Sequence, residues 1–562
     1  MQWRVFTKVG WVVMLKITNG KGAGWMDCIV YNAHIFTLDG QTPHATAMAI
    51  EKGKIVAVGD SSLLAARTQN TKMIDAQNRY IYPGFGDSHM HVLNYGETLT
   101  QVDLSGLDSI EALIARVQDF LRQHRVPDGV LVYSSGWNQD LFAEKRIPTR
   151  KDLDRISTVH PIVLSRICGH CTVVNTKALE QYGITEHTPQ PFGGRFELGS
   201  DGKPNGIFHE TAQQLVRRER PVTRAQVKAM IQTALKQAAA HGLTCIHSDD
   251  LASIPGLGWL EVHKAYLELE QEGKLPVRIV EQCRFASCEE LQGFLDEQVF
   301  YGQGSDVYRL GPIKIIGDGS LGARTAWMRE PYSDDSSTRG VSAIQEEELE
   351  GMIRLAHQHD WPVAVHAIGD KTIQTVMDCI ARVQSEQPKP IRHGIVHCQI
   401  TDSSLLKRFA REDIATYIQP IFLEYDLHIA EKRVGARAKT SYAWKTLVES
   451  GALVCGGSDC PVEPLDVLKN MHCAVMRQDF YRQPAEGWHP EQRLTMQQAL
   501  PLYTTNIAVL EGRQALRGSL SIGKWADFVM LDRDILQNPN ELLNTNVCMT
   551  AMQGQVTYQS QR

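Results

Sequence analysis

What most constrains this chain is a rhythm of short apolar runs separated by helical patterns. The runs are Tyr80 to Asp87, Leu243 to His247, Val277 to Arg284, Pro312 to Ile316, Pro362 to His366, Gly394 to His397, Ile414 to Gln419 and Leu453 to Gly457. Their length and apolar content predict strands. Between them, Leu349, Met352, Ile353 and Ala356 fall at i, i+3, i+4 and i+7, and Ile373, Val376, Met377 and Ile380 repeat the spacing, which predicts helices. Strands alternating with helices make a parallel α/β sheet, and eight of them are the number that closes a (β/α)8 barrel of the TIM type.

A chain of 562 residues holds more than such a barrel needs. The stretch at about 104–217 breaks the rhythm and is expected to be an insertion capping the barrel mouth. Alternating β patterns occur at both ends, in Cys28 to Ala33, Ala47 to Ile50 and Lys54 to Gly59, and again in Ala526 to Asp532, Val547 to Thr550 and Gln555 to Tyr558. Residues 26–79 and 510–562 are therefore expected to build one small β-sandwich, with the barrel spanning 80–509. Residues 1–25 read as an N-terminal extension outside the fold, because Lys16 interrupts the apolar stretch and no small-residue cleavage site follows.

Composition narrows the function classes. A hydrophobic fraction of 43%, a charged fraction of 22% and a net charge of -6 are ordinary for a globular enzyme and argue against a nucleic-acid surface. No uncharged stretch is long enough to cross a bilayer. The twelve cysteines have no regular spacing and read as reduced thiols of a cytoplasmic protein.

In a barrel of this type the active site lies at the C-terminal ends of the strands. His89 and His91 end the first run, and their i, i+2 spacing puts both imidazoles on one side of a strand. Lys314 lies in the fourth run, His366 ends the fifth, His397 ends the sixth, and Asp459 follows Gly456-Gly457-Ser458 after the eighth. Each alone has an ordinary structural use as a core histidine, a lysine reaching solvent or a helix cap. Together, at the mouths of five strands, they form a donor set for a metal centre.

The series Pro83-Gly84-x-x-Asp87-x-His89-x-His91, the strand lysine, two strand-ending histidines and Gly-Ser-Asp resembles the amidohydrolase superfamily. Gly136-Trp137-Asn138-Gln139, Lys314 to Gly322 and His366-Ala367-Ile368-Gly369-Asp370 are similar to its family-three branch, which includes the N-substituted formamide deformylases. The resemblance runs from about Met26 to Tyr558. It implies a divalent metal, zinc above all, as one or two ions. His89, His91 and Asp459 would hold one and His366 and His397 a second, with Lys314 bridging them as a carbamate if two are bound. It further implies a metal-activated hydroxide that attacks a C–N (amide or formamide-type) bond of a small molecule, with Asp459 carrying the proton to the leaving nitrogen. A homodimer is the expected assembly, with no nucleic acid and no membrane as partner.

Trp137, His170, Arg324 and Gln419 are the candidate substrate contacts. Two motifs point elsewhere and are set aside. Cys168-Gly169-His170-Cys171 spells a redox dithiol but lacks a thioredoxin-like surround, and Gly317-Asp318-Gly319-Ser320-Leu321-Gly322 spells a dinucleotide loop but shows no helix start. The alternatives within the superfamily are a deaminase or a cyclic amide or lactone hydrolase. Deaminases of this superfamily usually carry a glutamate a few residues beyond the strand-five histidine, where this chain has Asp370. A non-catalytic regulatory relative is the alternative from another class, and it would be marked by lost ligands, whereas all six are present.

Overall fold

The computed structural model describes residues 26–561, except 100, 125, 127, 167–169, 217–221 and 255. The extension at 1–25 and Cys168 of the dithiol motif lie outside the described residues. Strands β1 (Phe85–Met90), β2 (Leu243–Ser248), β3 (Arg278–Arg284), β4 (Tyr308–Ile316), β5 (Val363–Ala367), β6 (Gly394–His397), β7 (Ala415–Ile418) and β8 (Val454–Gly456) pair in parallel and in chain order. They are buried on both faces, which is why they read as near-continuous apolar runs. The two predicted helices form as Glu346–Gln358 and Asp370–Glu386, with their i, i+3, i+4, i+7 residues buried.

The ring closes between β8 and β1 at the mouth. Asp459 N donates to His89 O (2.8 Å) and His91 N to Cys460 O (2.8 Å). The Asp87 carboxylate adds a clasp, accepting from Ser458 N (3.0 Å), Ser458 Oγ (2.6 Å) and His89 N (3.0 Å).

The first predicted run, Tyr80 to Asp87, divides at Gly84. Tyr80 to Pro83 belong to the long strand Lys72–Pro83 of the terminal domain, and the barrel strand starts at Phe85. Gly84 is the joint: its N–H donates to Asp527 O (2.9 Å), and a Cβ there would lie 2.4 Å from the Thr244 side chain. Both chain ends do combine, but in one hydrogen-bonded sheet of eight strands where two facing sheets were expected. Lys72–Pro83 joins them, parallel to Cys28–Phe36 and antiparallel to Phe528–Leu531, so the two halves meet edge to edge. Val30, Ile50, Ile74, Phe528 and Met530 share its apolar core.

Residues Leu93–Met230 form a separate compact unit. Its sheet runs in the order Gly194–Leu198, Pro204–Glu210, Cys171–Val174, Ile162–Arg166 and Val132–Trp137, with the last pair parallel. Leu113, Val117, Trp137, Phe142 and Leu164 are among its core residues. Among the described residues all cysteines are free, and no helix is long and apolar enough to cross a membrane.

One polar element of the barrel wall gives a pH prediction. Val363 N donates to His393 Nδ1 (3.1 Å), so His393 carries its hydrogen on Nε2 and donates to His357 Nδ1 (3.1 Å). His357 Nε2 then donates to Gln387 O (2.7 Å). Burial, with His357 beside it, pulls the His393 pKa down to about 3. An unfolded chain takes up this proton near pH 6.5 and the native one near 3, so the pair's contribution is present above about pH 6.5 and lost as pH falls towards 3. Urea midpoints at pH 7.5 and pH 5 should differ more for the wild type than for His393→Asn; equal differences would assign the acid sensitivity elsewhere.

Candidate metal centre

The six donor residues read from the sequence converge at the mouth of the barrel. Lys314 Nζ lies 3.0 Å from His89 Nε2, and Asp459 Oδ1 lies 3.3 Å from His89 Nε2 and 3.1 Å from His91 Nε2. The rings of His366 and His397 are 4.4 Å apart, and those of His89 and His397 5.7 Å. Donor atoms of His89, His397 and Asp459 lie within 4.8 Å of one another. His397 and Asp459 adopt positive φ (80° and 59°), the kind of backbone that persists at sites where surrounding structure enforces it.

Whether these residues suit a metal is decided by their outer hydrogen bonds. Gln282 donates its amide N–H to Ser88 O (3.1 Å), so its Oε1 faces His89 Nδ1 (2.6 Å) and can only accept. Gln419 likewise donates to Tyr417 O (3.0 Å) and turns Oε1 to His397 Nδ1 (2.7 Å). His91 Nδ1 faces Asp249 O (3.1 Å). His366 uses the other nitrogen: its Nε2 faces Gly319 O (3.1 Å) and Asp318 Oδ1 (3.3 Å). Each acceptor fixes the ring hydrogen on the nitrogen that faces it, leaving a lone pair on the other one.

As neutral rings, His89 and His91 then aim lone pairs at the Asp459 carboxylate, acceptor against acceptor, an arrangement that calls for a cation. Burial disfavours charge on His91, yet the carboxylate overrides it and raises the pKa to about 9, so a proton takes the cation's place. Burial and the Lys314 charge push His89 down to about 4. Burial also opposes charge on Asp459, but the imidazoles of His91 and His89 beside it hold its carboxyl well below the usual range. The residues fit a divalent metal.

Each candidate substrate contact has a local partner. Trp137 is fully buried in the core of the Leu93–Met230 unit, its indole N–H donated to Leu164 O (3.0 Å), and so packs that unit. His170 sits in the same unit, exposed, with Nδ1 2.8 Å from Glu210 Oε2. Arg324 is clamped to Asp334 by two 3.0 Å bonds, and Gln419 serves His397. Sequence reasoning missed Gln282 altogether. It also read Asp318 only as part of a loop, whereas its buried carboxylate accepts from Ile368 N (3.0 Å), Gly369 N (2.8 Å), Thr372 Oγ1 (2.8 Å) and Trp327 N (2.9 Å). No helix begins between β4 and Glu346, consistent with the glycine-rich run being a site loop.

A parallel eight-stranded barrel with this donor set at its strand ends is a metal-dependent hydrolase. The chain belongs to the Amidohydrolase family, whose pattern matches residues 72–558. It is 33% identical over 548 residues to the putative amidohydrolase YtcJ of Bacillus subtilis (strain 168), covering 95% of this chain and all of that one. It is 24% identical over 550 residues to the N-substituted formamide deformylase of Arthrobacter pascens, covering 95% and 98%. Among solved structures, an uncharacterized metal-dependent hydrolase from Pyrococcus furiosus superposes with a TM-score of 0.72 at 28% identity, covering 91% of this chain and 99% of that one.

Proposed function

We propose that the protein hydrolyses a non-peptide C–N bond of a small molecule, with N-formyl and N-acyl amines the first substrates to test. The observation that carries the reading is the gathering of three imidazoles, those of His89, His91 and His397, around the Asp459 carboxylate, with the buried Lys314 amine 3.0 Å from His89. The likeness to the formamide deformylase favours formamides within that class. A deaminase is disfavoured by Asp370, which does not stand in for the missing glutamate: it heads a helix and accepts from Arg329 N (2.9 Å). The small molecule is the only partner the reading requires, with no nucleic acid or membrane, and a homodimer is its proposed assembly in the cytoplasm.

Zinc suits imidazole and carboxylate donors, and when bound it polarises a carbonyl and lowers the pKa of a coordinated water from about 15.7 to near 7. His89, His91, His366 and His397 would hold one or two such ions, with Asp459. Asp459 is the proton carrier: its ionised oxygen accepts the proton from the attacking water and returns it to the departing amine nitrogen. Burial draws the Lys314 ammonium down to about 8, so the neutral amine is accessible near physiological pH. That amine can add carbon dioxide, releasing one proton and forming a carbamate whose oxygens could bridge two ions. The test is metal quantification on purified protein with a hydrolysis screen of N-formyl amines, N-acyl amino acids, cyclic ureides and lactones. Protein without metal after expression in zinc- or manganese-supplemented medium would overturn the reading. Lys314→Ala should lower metal content towards one ion per chain; unchanged stoichiometry would remove the lysine from the ligand set.

A further inference from the structure

We propose that Gln282 and Gln419 are positioning residues that lock His89 and His397 in the single tautomer able to offer Nε2 to a metal. The inference rests on the metal-centre reading above and extends it to two side chains that do not themselves face the metal. The pair is matched. Gln282, on β3, reaches the histidine that ends the first barrel run; Gln419, just beyond β7, reaches the one that ends β6. Both are buried, at 0% and 3% exposure, so neither is exchanging with solvent.

An amide can turn either way, and the two orientations have opposite consequences. With Oε1 towards the imidazole, Nδ1 keeps the hydrogen and Nε2 is free to ligate. With the NH2 turned inward, Nδ1 must accept, the hydrogen moves to Nε2, and the ligating lone pair is gone. The Ser88 and Tyr417 carbonyls prevent the turn, because each already takes the amide N–H and would otherwise face an oxygen. His91 and His366 need no such device: their outer nitrogens face main-chain carbonyls, which can only accept. The centre therefore has two tautomers set by backbone and two set by replaceable amides. Glutamine suits the second role because it both accepts from the ring and donates to the anchoring carbonyl, which a carboxylate does not.

The experiment compares zinc affinity, by chelator competition at pH 7.5, for the full-length wild type and for Gln282→Leu, Gln419→Leu, Gln282→Glu and Gln419→Glu. Each Leu variant should bind zinc about 10- to 100-fold more weakly, the usual loss when a ligating histidine is deprived of its outer partner. Each Glu variant keeps an acceptor on Nδ1 and should stay within about tenfold of wild type. Imidazole 15N shifts of the zinc-free protein should show His89 and His397 as Nδ1–H in the wild type and as mixed tautomers in the Leu variants. Leu variants with wild-type affinity and tautomers, or Leu and Glu variants that lose affinity alike, would reduce the glutamines to packing residues. A wild type that binds no zinc would instead overturn the metal-centre reading, and it is measured before any substitution.

Discussion

Replacing Asp459 with asparagine should lower kcat about 10³-fold on any C–N substrate found by the screen, with KM little changed. The exchange keeps shape and removes both charge and basicity. General acid–base groups typically contribute 10²- to 10⁴-fold, and the proposed role gives this one two transfers, from water and to the leaving nitrogen. The carboxylate is placed for it by the β8–β1 closure, where Asp459 N is bonded to His89 O (2.8 Å) and Asp87 clasps Ser458. Asp459 also faces His89 and His91, so metal content must be measured alongside. A variant that retains metal but loses turnover assigns the loss to proton transfer. Activity within tenfold of wild type, with metal bound, would remove Asp459 from the proton path.

The second large effect concerns stability. Arg278, at the start of β3, makes two bonds to Asp527 (2.6 and 3.1 Å), and both residues are almost fully buried. Asp527 also accepts Gln553 N (2.7 Å) on Oδ1 and Gly84 N (2.9 Å) on its carbonyl, so one residue ties β3, the joint at Gly84 and the terminal sheet. Asp527→Ala leaves a guanidinium buried without its counter-charge. The expected loss is about 3–5 kcal/mol, seen as a lower urea midpoint or a shorter half-life at fixed elevated temperature. Replacing both partners, as Arg278→Met with Asp527→Leu, should be milder than the single change, because no uncompensated charge remains. A single variant within about 1 kcal/mol of wild type would show that water reaches the arginine and the pair is not the tie described.

The barrel was legible because its strands are buried on both faces, which forces apolar runs such as Ile313, Ile315 and Val363 to Val365 that no amphipathic surface would tolerate. The six donor residues were legible for a related reason: metal-capable side chains recur in or just beyond five such runs, although each alone would have an ordinary structural use. The joint at Gly84 was not, since Tyr80 to Pro83 and Phe85 onward are equally apolar and only pairing partners separate them. Nor was the use of Gln282, because an amide's role depends on which carbonyl anchors it, a purely tertiary fact. Trp137 shows the opposite failure: an aromatic in a glycine-flanked motif suggests a ligand surface, but its indole is consumed by Leu164 and the core around it.

The edge-to-edge joining of the two chain ends also has a consequence in time. Lys72–Pro83 leaves the ribosome early, and Cys28–Phe36 can cover one of its edges at once. Its other edge waits for Phe528–Leu531, which follows only after the barrel and the Leu93–Met230 unit have been made. At about 5–20 residues per second the delay is on the order of tens of seconds. Throughout it, Ile81 and Tyr82 present a bare strand edge immediately upstream of the first histidine pair. The nascent chain is therefore open to wrong pairing just upstream of His89 and His91 for that interval.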